Sequence, residues 1–268
     1  MADKDKIVII RGGGDIASGT ISRLHNMGLK VLVLEVPKPN FIRRKVCYGE
    51  AVYENEFLLE DNISKFARNT DEIKTAWAEN KIPVIINPEM KILSEIQPDV
   101  LIDAIIAKKN LGMTKDLAPL TIGFGPGFEA GKDVDIVIET NRGHDLGRII
   151  KKGRASENTG IPGVIKGYGK ERVIYAEASG KLKIIHDIGS FVEKNEIIAY
   201  IDGSPVKASL TGIIRGMIRD GSYVKKGLKI SDIDPRKEEL KNCFTISDKA
   251  RTISGGAAEA VFSFFNKR

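Results

Sequence analysis

Ile7-Val8-Ile9-Ile10-Arg11-Gly12-Gly13-Gly14-Asp15-Ile16-Ala17-Ser18 is the stretch on which the fold turns. Four successive apolar residues, all of them β-branched, read as a short buried strand. Three glycines end it, and Asp15 stands where a helix N-cap belongs. Ala17, Ile21 and Leu24 then recur at helical spacing up to Gly28, a left-handed C-cap position. A second strand, Val31-Leu32-Val33-Leu34, closes on Glu35, 21 residues after Gly14. Gly12-x-Gly14-x-x-Ala17 between strand and helix, with an acid at that spacing, has the logic of a dinucleotide site. Gly12 permits the tight turn, Gly14 lets backbone approach a pyrophosphate, Ala17 allows close packing, and Glu35 can accept ribose hydroxyls. The helix amino end adds a partial positive charge, and Asp15 opposes it. The candidate cofactor-binding residues here are Gly12, Gly13, Gly14, Asp15, Ile16, Ala17, Ser18 and Glu35. The alternative is a glycine turn capped by Asp15, with Glu35 an ordinary strand-end acid.

Outward from this stretch, strand and helix patterns alternate: two helices over about 60–80, a strand at Val84-Ile85-Ile86, a short helix over Glu89–Ile96, and a strand at Val100-Leu101-Ile102. Such alternation predicts a Rossmann-like parallel sheet over residues 1–118. Residues 119–172 are glycine-rich with one clear strand, Val134–Ile138, and are expected to carry a ligand-binding turn. Residues 173–236 contain a repeat: Gly180 to Asn195 lies 32 residues before Gly212 to Gly227, with matching glycine spacing. Asn195 stands where the second copy has Gly227, so both copies predict a left-handed turn there. Two such strand–turn–strand units predict a β-rich barrel-sandwich-hybrid module of biotinyl or lipoyl type. Residues 237–268 read as a C-terminal helix over Ile246–Phe265, interrupted at Gly255-Gly256 and packed on the first domain. The expected fold class is α/β: the parallel sheet, then the hybrid module, then the helix.

Several further residues could carry chemistry. Arg43 and Arg44 follow the second strand and suit bidentate phosphate contact, or form a solvated pair. Asp103 interrupts an apolar strand and needs a partner, a ligand or an arginine. Gly125, Pro126 and Gly127 form a turn. The run from Glu139 to Arg148 gathers Glu139, Asn141, Arg142, His144, Asp145 and Arg148 around Gly143 and Gly147. It supplies carboxylate, amide, imidazole and guanidinium groups, enough to grip a heterocycle and its phosphate, or to satisfy one another. Glu139 and His144 are the catalytic candidates, with His144 for proton transfer. Asn141, Arg142 and Arg148 are candidates for cofactor binding. No His or Cys pair has metal-ligand spacing, and no Walker lysine or Gly-x-Ser-x-Gly occurs.

The 268 residues are 42% hydrophobic and 29% charged, which describes a globular chain and excludes a disordered one. Their 42 Lys+Arg against 36 Asp+Glu form a diffuse excess of +6, with 6% aromatics. That balance admits an anionic small ligand and does not argue for nucleic acid. No apolar run approaches a membrane span. Two cysteines without a CxxC pattern make the cytoplasm the expected compartment.

The motifs Arg11–Gly19, Pro39–Arg44 with Glu50–Tyr53, Gly125–Phe128, Ile138–Gly147, Asn158–Gly163, Ile233–Arg236 and Ile246–Ala250 occur in order along the chain. Together they resemble the YqeB-type accessory proteins of selenium-dependent molybdenum hydroxylase systems, whose first portion is similar to that of XdhC-type maturation factors. The resemblance implies an accessory or maturation role and a nucleotide-like or molybdopterin-type cofactor. It implies a molybdenum hydroxylase apoprotein and other maturation factors as partners. Of the cysteines, Cys243 is the better candidate than Cys47 for a sulfur or selenium carrier. An NAD(P)-dependent oxidoreductase using an NAD(P)-like dinucleotide and His144 is the alternative. Homo-oligomerisation is left open.

Overall fold

The computed structural model describes residues 6–157, 160 and 165–267. Of the motif Asn158–Gly163, only Gly160 is among them. The chain divides into two compact units, Met1–Pro39 with Cys47–Asn158 and Ile246–Arg268, and Asn40–Val46 with Thr159–Thr245.

In the first unit the apolar runs become β1 (Ile7–Arg11), β2 (Lys30–Glu35), β3 (Glu56–Leu59), β4 (Asn62–Ala67), β5 (Ile82–Ile86), β6 (Val100–Asp103), β7 (Leu120–Phe124), β9 (Ile136–Ile138) and β10 (Ile149–Ile150). They form one nine-stranded sheet in the order β10-β9-β7-β6-β1-β2-β5-β4-β3. A small ladder joins β8 (Glu129–Ala130) to β11 (Gly153–Arg154). The helices are α1 (Asp15–Asn26), α2 (Ala51–Glu54), α3 (Thr70–Ala78) and α4 (Asp248–Phe265). Buried Ile9, Leu32, Leu34, Ile85 and Leu101 pack on one side with Ile73 of α3. Among the described residues no helix is long and apolar enough to cross a membrane.

The expected fold class, a Rossmann-like parallel sheet followed by a barrel-sandwich-hybrid module and a C-terminal helix, is corrected here. The sheet is mixed: its seven central strands pair in parallel, but β3 pairs antiparallel with β4 and β10 antiparallel with β9. Residues 56–67, the later part of which is expected within the helices over about 60–80, instead form the β3–β4 hairpin, turned at Glu60 with φ +53°. There the apolar residues follow a strand period, pairing Phe57 with Ser64 and Leu59 with Asn62. The sheet also does not stop near residue 118: β7 and β9 of the glycine-rich segment extend it in parallel beside β6.

The C-terminal helix completes this same unit. α4 runs unbroken through Gly255-Gly256, because Gly256 admits the carbonyl oxygen of Gly147, where a Cβ would collide. Gly19 of α1 plays the same part against Ala250, whose carbonyl oxygen would lie 2.6 Å from an added Cβ. These glycines hold α4 against α1 and against the segment that follows β9.

The second unit holds β12 (Val173–Tyr175), β13 (Gly180–Ile184), β14 (Phe191–Val192), β15 (Ile197–Ile201), β16 (Ser204–Lys207), β17 (Gly212–Met217), β18 (Tyr223–Val224) and β19 (Lys229–Asp234). They make two antiparallel sheets, β12-β19-β17-β14 and β16-β15-β13-β18. The repeat copies interlock, with Gly180 opposite Val224 and Val192 opposite Gly212. Asn195 (φ +71°) and Gly227 (φ +84°) both take the left-handed turn. Leu182, Val192, Ile198, Ile214, Val224 and Ile233 fill the core between the sheets.

Candidate functional site at the strand ends of the first unit

Strands β9, β7, β6 and β1 are parallel neighbours, so the loops leaving their carboxyl ends share one edge. Chain order reverses there, since β1 continues to β2 on one side while β6 lies on the other. Open α/β sheets place ligands at such a switch point. The loops are Gly12–Gly14, residues 104–112, Gly125–Gly127, and the run from Glu139 to Arg148.

The glycine turn serves its own chain. Gly12 (φ +95°) donates its N–H to Leu34 O at 2.8 Å. Gly13 donates to Glu35 Oε1 at 2.6 Å, and Val36 N–H donates to Glu35 Oε2 at 3.0 Å. Burial pushes the Glu35 carboxyl up, with Glu50 adding to it, and the two N–H groups only partly offset that. The close approach falls at Gly13: Gly49 N–H donates to Gly13 O at 2.9 Å, and a Cβ on Gly13 would lie 2.7 Å from Gly49 N. Ser18 Oγ donates to Gly14 O (2.9 Å) and accepts from Tyr48 N–H (3.1 Å). Ala17 is core, while Gly14, Asp15 and Ile16 stay half-buried at the start of α1. The ribose role expected of Glu35 therefore meets a carboxylate whose oxygens are already engaged.

Asp103 finds its partner in an arginine. Arg11 Nη1 donates to Asp103 Oδ2 at 3.1 Å and to Leu111 O at 2.8 Å, and Nη2 donates to Pro88 O at 3.0 Å. Ile105 N–H donates to the other Asp103 oxygen at 3.1 Å. Burial raises the Asp103 carboxyl despite these partners. Breaking such a buried pair strands a charge, so it ties three loops together.

Gly125 (φ +71°) lies against Thr140, whose Oγ1 would collide with an added Cβ. Gly127 (φ +115°) lies against the next loop, 2.6 Å from Lys109 N to an added Cβ. Pro126 is half-buried between them.

Glu139 is 3% exposed. Its Oε1 accepts from Asn141 N–H and its Oε2 from Ser156 N–H, each at 2.7 Å. Burial pushes this carboxyl up, but the N–H donors outweigh it and hold it below its ordinary value. It is a fixed carboxylate that organises the turn, which removes the proton a catalytic acid would need. Asn141, Arg142, His144 and Arg148 are exposed. Arg142 pairs with Asp248 at 2.7 Å and Arg148 with Asp145 at 2.7 Å. Exposed pairs of this kind cost little to exchange for a ligand.

The residue that sequence reasoning missed is Lys249, in the first turn of α4. It is half-buried, and among the described residues its ammonium has no hydrogen bond or ion pair. Burial lowers its pKa, Arg142 lowers it further, and Asp15, Glu139 and Asp248 act against them. Asp15 from one stretch of sequence, and Glu139 and Arg142 from another, thus act electrostatically on one lysine. Its only trace in the sequence is its place in the motif Ile246–Ala250.

Arg43 and Arg44 belong to the second unit and are spent there. Arg43 Nη2 donates to Asn242 O (3.0 Å) and Thr245 O (3.3 Å), and Arg44 Nε donates to Met217 O (3.2 Å). The Arg44 guanidinium also pairs with Asp187. Neither is more than 9% exposed, which leaves the expected phosphate contact without a free guanidinium face. Cys47 and Cys243 are buried thiols, and burial pushes Cys243 up, away from the reactive thiolate. Among the described residues no group of three or more His, Cys, Asp or Glu could hold a metal ion.

Around a mixed sheet, then, stands a strand-end site of fixed carboxylates with the Lys249 ammonium, unpaired among the described residues. Over 262 residues, 98% of its length, the chain is 45% identical to the Escherichia coli (strain K12) protein described as "Uncharacterized protein YqeB". It spans about half, 48%, of that protein. This similarity supports the YqeB-type family that the motifs indicate. No family model matches. Among solved structures, the chain aligns with a succinylglutamate desuccinylase from Silicibacter sp. TM1040 at 13% identity and a TM-score of 0.26, covering 85% of this chain and 84% of that one. It aligns with an aspartoacylase family protein from Mesorhizobium loti at 10% identity and a TM-score of 0.28, covering 85% of each. Likenesses this loose carry no activity across.

Proposed function

We propose that this chain is the cofactor-handling part of a YqeB-type accessory protein for selenium-dependent molybdenum hydroxylases. It binds an anionic cofactor of molybdopterin type at the strand ends and, with other maturation factors, assists its modification or insertion into the hydroxylase apoprotein. Lys249 carries the reading: a half-buried ammonium without a bonding partner among the described residues is a place for a phosphate. Arg142, released from its exposed pair with Asp248, adds a second cation. The exposed Asn141 amide, on the turn that Glu139 organises, can meet the edge of a pterin. The nicotinamide alternative is weaker, because both Glu35 oxygens accept from Gly13 and Val36 and His144 stands exposed.

The test is mass spectrometry of the small molecule that co-purifies with the protein, followed by anaerobic titration with the released cofactor. A phosphorylated pterin is expected. A nicotinamide nucleotide, together with hydride transfer to a small substrate, would overturn the proposal.

A further inference from the structure

The loop after β6 is built differently from its neighbours. Along Ile106-Ala107-Lys108-Lys109 the sign of φ alternates: Ile106 (+57°) and Lys108 (+63°) are left-handed, while Ala107 and Lys109 are not. A β-branched residue in that region is a genuine outlier, and such outliers mark functional turns more than ordinary ones. Alternation of hand along a chain turns successive N–H groups toward one side, forming a concavity that suits an anion. Among the described residues none of these four amides donates to a protein acceptor. Lys108 and Lys109 are exposed, and neither forms an ion pair among the described residues. Four amides without a protein acceptor among the described residues and two exposed lysines therefore share four residues.

The loop also adjoins the site already described. Gly127 touches the Lys109 backbone and Gly125 touches Thr140, which shares its turn with Arg142, the ion-pair partner of Asp248 next to Lys249. Two residues of extended chain reach at most about 7 Å, so both surfaces lie on one short turn. Gly12 closes the other side, where an added Cβ would be 3.3 Å from Ile105 N.

We infer that Ile106–Lys109 forms a second anion subsite beside Lys249, and that the ligand of the strand-end site is an organic diphosphate, with one phosphoryl group on each. This rests on the proposed anion-binding function. Lys249 takes the first phosphoryl group, and the open amides and two lysines take the second.

Calorimetric titration of the full chain with inorganic phosphate and with inorganic pyrophosphate tests this on the wild type, Lys108→Gln/Lys109→Gln, and Lys249→Gln. Wild type is expected to bind pyrophosphate at least tenfold more tightly than phosphate. The double variant should lose most of the pyrophosphate preference, with an unchanged melting temperature. Lys249→Gln should weaken both anions. Phosphate binding without a pyrophosphate preference, or a preference that survives in the double variant, overturns the diphosphate inference and leaves the anion site standing. A wild type that binds neither anion overturns both.

Discussion

Replacing Glu139 by Gln tests whether this buried carboxylate is a scaffold or an acid. In the wild type its two oxygens accept from Asn141 and Ser156 N–H, each at 2.7 Å. Glutamine keeps one carbonyl acceptor and turns its NH2 toward the other N–H, so one charge-assisted bond is lost and one buried donor is orphaned. Each effect is worth about 1–3 kcal/mol, and because they overlap the net cost is about 2–4 kcal/mol. At roughly 2–4 °C per kcal/mol for a unit of this size, the melting temperature should fall by about 4–16 °C. The pH dependence fixes the sign. A carboxyl held below its ordinary value contributes stability that is full above its unfolded pKa of about 4.3 and is lost as pH falls through the folded value. The gap between wild type and variant should therefore be constant from pH 7 to about 5 and close as the pH drops further into the acid range. Thermal unfolding by circular dichroism across that range measures it. Equal melting temperatures at pH 7, or a gap that widens toward acid, would refute the assignment of Glu139 as an ionised scaffold.

Gly256→Ala should destabilise by on the order of 1–3 kcal/mol, because the new methyl group meets the Gly147 carbonyl oxygen, whereas helix propensity alone would make it stabilising by about 0.5–1 kcal/mol. Urea unfolding decides the sign. Ile106→Gly should be neutral or stabilise by up to about 2 kcal/mol, since relief of about 1–3 kcal/mol of left-handed strain exceeds the entropic cost of glycine. A destabilisation above 1 kcal/mol would show that Ile106 is not strained.

Local pattern made part of the first unit legible. The β1–glycine turn–α1–β2 succession and the repeat of the second unit stand where period and glycine spacing put them. The hairpin over 56–67 was hidden, because its charged Glu60-Asp61 turn and scattered apolar residues match a helical pattern as well as a strand one. The mixed character of the sheet was hidden too, since β9 and β10 are only two or three residues long and pair through contacts that leave no local period. At the site, the run from Glu139 to Arg148 announced itself by density of polar groups. Glu35, Arg43 and Arg44 have partners within the chain that no local pattern announces, because a folded chain can spend a carboxylate or guanidinium on its own backbone. Lys249 was invisible for the opposite reason: a single lysine near a helix start looks like any solvated one until α1 and the turn after β9 close around it.

The measurement that tests the central claim most directly is the affinity of the strand-end site for its phosphorylated cofactor in wild type and Lys249→Gln, followed from pH 7 upward. Loss of one charge-assisted contact should weaken binding by about 1.5–3 kcal/mol, or roughly 10- to 150-fold, at an unchanged melting temperature. Because burial lowers the Lys249 pKa, wild-type affinity should fall as pH rises through that lowered value, before ordinary lysines titrate, and converge on that of the variant. Equal affinities at pH 7, or a difference that persists unchanged to high pH, would contradict an anion site centred on Lys249.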